Sequence, residues 1–245
     1  MRAPRPAPSP SRPARRLPAG LLAFLILPGA AAAQNADLLG LTALTERVGP
    51  GNVPTGAGVR LAQTEAPSGG SYAPDWNHPD FAGKTLTLMS GASGASGHAT
   101  TAGRHAYGSL GIAQGVSEID SFEANHWLGA GFLNGAGSVP PAALSARVLT
   151  NSWIGNAGGA SNLYLRKLDF AIRSQGLLVV SGVNNGGGVL DVPLLSHAFN
   201  GIAVGRSDGS HKAGLTGFGM DGPGRSKPEL VAPGTATSWS TPLVA

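Results

Sequence analysis

The sequence predicts an α/β fold with a mostly parallel sheet that is flanked by helices on both faces. Residues 176–180, GLLVV, form an apolar run typical of a strand that is buried on both faces of its sheet. Residues 160–175, directly before this run, place apolar side chains on one side and basic side chains on the other at helical spacing. Four further segments are predicted as strands: residues 58–65, 84–89, 147–151 and 201–208. Residues 117–140 are predicted as loop and short helix.

The first 33 residues have the architecture of a secretory signal peptide. Five arginines and no acid come first, an apolar core follows at residues 21–27, and small residues at 30–33 precede a predicted cleavage after Ala33. The apolar core is too short to span a bilayer comfortably, so a membrane anchor is the minor alternative. We therefore expect a secreted or periplasmic protein that has no membrane attachment once the signal is removed.

The charge of the chain is concentrated in this leader. The formal net charge is +4, but removing the five leader arginines from 17 basic residues leaves 12 against 13 acidic ones. No nucleic-acid partner is therefore expected. The chain has no cysteine, so disulfides cannot stabilise it.

The mature chain fits one domain. Residues 34–57 form an N-terminal segment with a short apolar stretch at 38–44 that is predicted as a helix, and residues 58–245 form the domain itself, expected to be a monomer.

A carboxylate stands where the first predicted strand ends. Residues 58–67, GVRLAQTEAP, predict a strand that places Glu65 at its C-terminal end. In open α/β sheets the active site lies beyond the carboxyl ends of the strands, so Glu65 is the candidate catalytic acid. The alternative is that Glu65 is an ordinary surface residue and that Asp75, Asp80 or no carboxylate has this role.

One histidine differs from the others in its sequence surroundings. His98 follows a flexible tract of small residues at 91–97 and opens a predicted helix. His105 is the alternative base. The other four histidines have no comparable setting and are expected to be structural or solvated: His78, His126, His197 and His211.

The last twenty residues predict a short buried strand, a turn at residues 232–234 and the start of a helix with Ser238 at its N-terminus. Unpaired N–H groups there favour developing negative charge, which suits a serine nucleophile. An ordinary N-cap role for Ser238 is the alternative.

Several of these segments resemble blocks of the subtilisin-like serine proteases, the subtilases. The nucleophile block is matched by KPE at 227–229, APG at 232–234 and TSWSTPLVA at 237–245, with Ala236 and Ser240 replacing the usual Gly and Ala. The acid block is matched at 58–65, with Glu65 at the usual Asp position, and the histidine block by HATTAG at 98–103. Weaker matches are GIAQG at 111–115, RVLTNSWIG at 147–155 and SGVNN at 181–185.

The resemblance implies a subtilisin-like fold and peptide-bond hydrolysis. The chain order acid, histidine, serine is that of subtilisin. In this scheme Glu65 orients His98, His98 takes the proton of Ser238, and Asn185 with the Ser238 backbone N–H holds the oxyanion. The implied substrate-binding residues are Ser152, Trp153, Gly155, Ser181 and Gly182. Protein or peptide substrates are implied. No cofactor is expected. Structural calcium stays open, although the sequence contains no recognisable ligand loop.

Two other functions stay open at the level of sequence. A catalytically impaired subtilase-like domain could serve as a secreted binding or structural module, and a secreted serine esterase or peptidase of another fold could use Glu as its acid. The chain also stops seven residues after Ser238, so we expect a product that is truncated at its C-terminus. Residues 147–155 could also be an internal strand without ligand contact.

Overall fold

The computed structural model describes residues 28–216 and 224–245. The apolar core of the predicted signal peptide therefore lies outside the described residues. The first described helix begins at Pro28 and runs through the predicted cleavage position. Within the described ranges, no helix combines the length and the apolar character that crossing a membrane requires.

A seven-stranded sheet forms the centre of the domain, and every adjacent pair of its strands is parallel. The strand order is β2-β3-β1-β4-β5-β6-β9, and β7 pairs with β8 in a separate antiparallel ribbon. The strands are β1 (Arg60–Glu65), β2 (Thr85–Leu88), β3 (Glu118–Glu123), β4 (Val148–Asn151), β5 (Leu178–Gly182), β6 (Ile202–Arg206), β7 (Gly214–Leu215), β8 (Ser226–Lys227) and β9 (Leu230–Ala232).

Helices flank the sheet, which confirms the predicted α/β class. They are α1 (Pro28–Leu38), α2 (Leu41–Val48), α3 (Gly97–Ala106), α4 (Ala124–His126), α5 (Ser161–Gln175) and α6 (Thr237–Ser240). Short 3₁₀ turns lie at Pro50–Asn52, Pro79–Phe81, Gly158–Ala160 and Thr241–Leu243, and a π turn at Trp127–Gly131.

The two faces of the sheet bury different clusters. On β1, Leu61 packs with Phe81 and Tyr107, whereas the next residue, Ala62, packs with the cluster that includes Leu165 of α5. Successive strand residues point to opposite faces. Residues 61, 63 and 65 therefore face α3, and residues 62 and 64 face α5.

The prediction of a loop and short helix at residues 117–140 was wrong at its start, because β3 (Glu118–Glu123) lies there. The segment EIDSFE has only two large apolar residues, which concealed a strand. Its Asp120 is buried and accepts two hydrogen bonds from Arg60 on the neighbouring strand. A buried carboxylate needs such a partner, and here the partner lies 60 residues away in sequence.

Two further predictions need correction. The strand before Ser238 was expected to be buried, but β9 is an edge strand whose Leu230 and Val231 are about half exposed. The single helix expected at 38–44 is two helices, because Gly40 has a left-handed φ of 76° that separates α1 from α2.

Candidate active site

The predicted catalytic residues converge at the carboxyl edge of the sheet. Glu65 is the last residue of β1, and His98 lies in the first turn of α3, two residues after the N-cap Ser96. Asn185 follows β5, and Ser238 is the second residue of α6. Parallel strands end at the same edge, so residues far apart in sequence meet there.

Glu65 and His98 form a direct hydrogen bond. The distance between Glu65 Oε2 and His98 Nδ1 is 2.8 Å. The Glu65 side chain is 1% exposed, whereas that of His98 is 37% exposed. A carboxylate can only accept, so Nδ1 carries the proton and Nε2 keeps its lone pair. In the part of the chain that the structure describes, Nε2 has no protein partner.

The Glu65 carboxylate also sets the protonation of this histidine. The hydrogen bond from Nδ1 to Glu65 raises the pKa of His98, and the negative charge of Glu65 adds to the effect. Partial burial acts in the opposite direction, but the net result is a raised pKa. The arrangement stabilises an imidazolium, as a base that takes a proton during catalysis requires.

The two alternative acids are engaged elsewhere. Asp80 accepts hydrogen bonds from Arg104 and Ser109, and Asp75 accepts one from the backbone N–H of Asn77. Within residues 28–216 and 224–245, neither carboxylate contacts His98. The structure therefore favours Glu65 as the partner of the base.

Ser238 is held by the segment that follows β4. Its Oγ donates to the carbonyl oxygen of Ser152 at 3.2 Å, and Ser152 Oγ donates to the Ser238 carbonyl at 3.1 Å. The N-cap of α6 is Ala236, so Ser238 does not cap the helix. No hydrogen bond joins Ser238 to His98 among the described residues.

An indole ring lies beside the candidate base. The ring of Trp239, the residue directly after Ser238, is 5.0 Å from that of His98 and 5.8 Å from that of His105. His105 binds the Thr101 carbonyl through Nδ1, and burial lowers its pKa. The alternative base therefore lacks the carboxylate partner that His98 has. Sequence reasoning did not identify Trp239.

Asn185 is oriented by α6. Its Oδ1 accepts from the backbone N–H of Thr237 at 2.8 Å and from the Thr237 hydroxyl at 3.3 Å. Because that oxygen faces two donors, the amide nitrogen must point the other way. Neither this nitrogen nor the backbone N–H of Ser238 has an acceptor within the described ranges. Asn185 and Ser238, which carry these two donors, line the same cavity.

A small cavity of about 50 Å³ lies at this point. Three of the five predicted substrate-binding residues line it, together with Asn185 and Ser238: they are Ser152, Trp153 and Gly182.

The other two predicted residues make contacts inside the protein. Ser181 is buried, and its Oγ accepts from Asn151. Gly155 exchanges both of its backbone hydrogen bonds with Leu194, at 3.0 and 2.9 Å. The backbone of Gly155 is therefore already paired in this structure.

Comparisons with known proteins point to one fold. No protein-family model matches the chain, and no curated protein matches it. Solved structures do. The subtilase cytotoxin SubAB has a TM-score of 0.55 at 15% identity, over 86% of this chain and 79% of that one. MycP1 has a TM-score of 0.54 at 17% identity, over 86% of this chain and 80% of that one. A cold-adapted subtilisin-like serine proteinase has a TM-score of 0.53 at 18% identity, over 78% of this chain and 74% of that one. With its parallel sheet and these likenesses, the chain has the fold of the subtilisin-like serine proteases.

Proposed function

We propose that this chain is an exported serine endopeptidase that hydrolyses peptide bonds through Glu65, His98 and Ser238. The observation that carries the proposal is the 2.8 Å hydrogen bond between the buried Glu65 carboxylate and His98 Nδ1, which leaves Nε2 free. The ring of Trp239, the residue directly after Ser238, lies 5.0 Å from that of His98, which supports a role for both segments at one site. The fold and the predicted leader agree with an exported peptidase.

In the proposed reaction, His98 Nε2 takes the proton of Ser238 Oγ while that oxygen attacks the scissile carbonyl carbon. Glu65 stabilises the imidazolium. The negative charge that develops on the carbonyl oxygen is met by Asn185 Nδ2 and the Ser238 N–H. His98 then gives its proton to the leaving amine, which breaks the peptide bond, and water hydrolyses the acyl-enzyme by the same route. No cofactor takes part.

The proposed reaction requires Ser238 Oγ to leave its present acceptor. Ser238 Oγ donates to the Ser152 carbonyl in the structure, so this hydrogen bond must break before His98 can accept the proton. Rotation about χ1 of Ser238 is the smallest movement that releases it. Catalytic hydrogen bonds are often absent or long without substrate, so the observed orientation is compatible with the proposal.

The cavity beside Ser238 limits the residue on the acyl side of the cleaved bond. A cavity needs roughly 10–15 Å³ to hold one water, so about 50 Å³ accommodates a few heavy atoms. Ile154 forms part of the lining. We therefore expect cleavage after small residues rather than after aromatic ones.

Peptide hydrolysis by the purified protein tests the proposal. We expect cleavage of an unstructured protein substrate by the wild type, and loss of cleavage in Ser238→Ala and His98→Ala. Ser240→Ala is the matched control, because its Oγ binds the Ala236 carbonyl within the same helical segment. Equal activity in wild type and Ser238→Ala would contradict the proposed nucleophile.

A second candidate is a secreted binding module with impaired catalysis. The hydrogen bond from Ser238 to Ser152, in place of one to His98, favours it. Binding of peptides by the folded wild type without any hydrolysis would select this candidate. Isothermal titration with the same peptides measures that binding directly.

A further inference from the structure

A buried glutamine lies behind the candidate acid. Gln63 is two residues before Glu65 on β1, so both side chains point to the same face of the sheet. Gln63 is fully buried. A buried amide is costly unless its donors and acceptor are satisfied, which makes its partners informative.

Every partner of Gln63 belongs to the environment of the triad. Its Nε2 donates to Glu65 Oε1 at 2.8 Å and to the Ala99 carbonyl, one residue after His98, also at 2.8 Å. Its Oε1 accepts from the Tyr107 hydroxyl at 2.6 Å. The flipped amide would place its oxygen against two acceptors, so the observed orientation is the one that chemistry permits.

The last member of this chain of hydrogen bonds is equally fixed. Tyr107 is fully buried, and burial raises its pKa above the ordinary value, so its hydroxyl stays protonated as a donor. The Tyr107 side chain packs over Gly103 of α3, and a Cβ at Gly103 would lie 2.5 Å from the tyrosine hydroxyl oxygen. Gly103 thus provides the space that the hydroxyl needs to reach Gln63.

We propose that Gln63, supported by Tyr107, is a positioning residue that holds the Glu65 carboxylate in the orientation in which it binds His98. The inference rests on the proposed function and assigns an additional role at the same site. Compared with an aspartate, the glutamate has one more rotatable bond. Gln63 restrains it by binding Oε1 while Oε2 binds His98.

Without Gln63, Oε1 would be a buried carboxylate oxygen that lacks this donor. The carboxylate would then turn towards another donor, and the geometry at His98 would change. Gln63 therefore acts on the reaction through Glu65 and touches neither the substrate nor the reacting atoms.

The test compares Gln63→Met with the wild-type full chain, because methionine keeps the length of glutamine and removes its hydrogen bonds. Gln175→Met is the matched control. Gln175 also makes two side-chain hydrogen bonds to distant backbone groups, but it lies at the end of α5. Two quantities are measured: kcat and KM for a peptide substrate, and the NMR titration and tautomer of His98, assigned with a His98→Gln variant.

We expect Gln63→Met to lower kcat by about tenfold, the effect of one hydrogen bond to a charged group, with little change in KM. The pKa of His98 should fall, and its preference for the Nδ1–H tautomer should weaken. Gln175→Met should leave both quantities unchanged. If His98 titrates in Gln63→Met as it does in the wild type, the proposal is overturned, even if kcat falls.

The NMR measurement separates the two proposals. If the wild type hydrolyses nothing, an altered His98 in Gln63→Met still supports the positioning role while the proposed function fails. If Gln63→Met does not fold, Tyr107→Phe replaces it, since that variant removes a single hydroxyl. It should shift His98 in the same direction by less, and an unchanged His98 would overturn the proposal.

Discussion

Shortening the candidate acid to the residue that subtilases usually have should reduce activity in this protein. β1 pairs with β3 on one side and β4 on the other, so its backbone cannot move forward to compensate. Glu65→Asp removes one methylene, which withdraws the carboxylate by about 1.5 Å. The 2.8 Å contact with His98 Nδ1 would open to about 4 Å, beyond hydrogen-bond distance.

The expected loss follows from that distance. A hydrogen bond to a charged group contributes about 1.5–3 kcal/mol, which corresponds to a decrease in kcat of about 10- to 150-fold. The assay is steady-state hydrolysis of an internally quenched peptide. Glu118→Asp is the control, because Glu118 is exposed and binds Arg60 on the same pair of strands. An equal or higher kcat in Glu65→Asp would refute the reasoning.

Four further predictions concern pH, selectivity and packing. In the proposed mechanism His98 acts as a base only when it is neutral, and its pKa is raised above the ordinary 6.5, so activity should rise with pH above that value. Glu65→Gln should shift this rise in the pH–activity profile to lower pH. The ion pair between Glu65 and His98 stabilises the folded protein below a pH of about 6.5, and this stabilisation is lost as the pH rises through the raised pKa of His98. Glu65→Gln should therefore lower the melting temperature more at about pH 6 than at about pH 9. An equal decrease at both pH values would contradict this. Ile154→Gly should enlarge the cavity and admit larger residues on the acyl side, and an unchanged cleavage profile in a peptide library would argue against that cavity as the binding site. In Gly182→Ala the new Cβ would lie 2.8 Å from the buried Thr241 Oγ1, which should destabilise the protein by about 1–3 kcal/mol; an unchanged denaturation midpoint would exclude this clash.

Local patterns were sufficient for the parts of the fold and site that depend on neighbouring residues. A carboxylate at the end of a strand and a histidine at the start of a helix, both in segments that resemble subtilase blocks, predicted the positions of Glu65 and His98. The helical spacing of residues 160–175 predicted α5, which spans Ser161–Gln175. These signals are local because strand ends and helix starts are encoded by a few consecutive side chains.

The remaining features depend on contacts between distant residues. Gln63 meets Tyr107 across 44 residues, and Ser238 meets Ser152 across 86. Neither residue pair has a spacing that a periodic pattern could reveal. β3 was missed for the same reason, since its Asp120 is compatible with a buried strand only because Arg60 lies on the adjacent one.

The most direct measurement of the proposed chemistry is the site of covalent modification by a fluorophosphonate, located by mass spectrometry of the digested protein, with circular dichroism to establish that each variant is folded. We expect one adduct on Ser238 in the wild type, and none in Ser238→Ala or His98→Ala. A folded wild-type protein that carries no adduct, or an adduct on another serine, would contradict the assignment of Ser238 as the activated nucleophile.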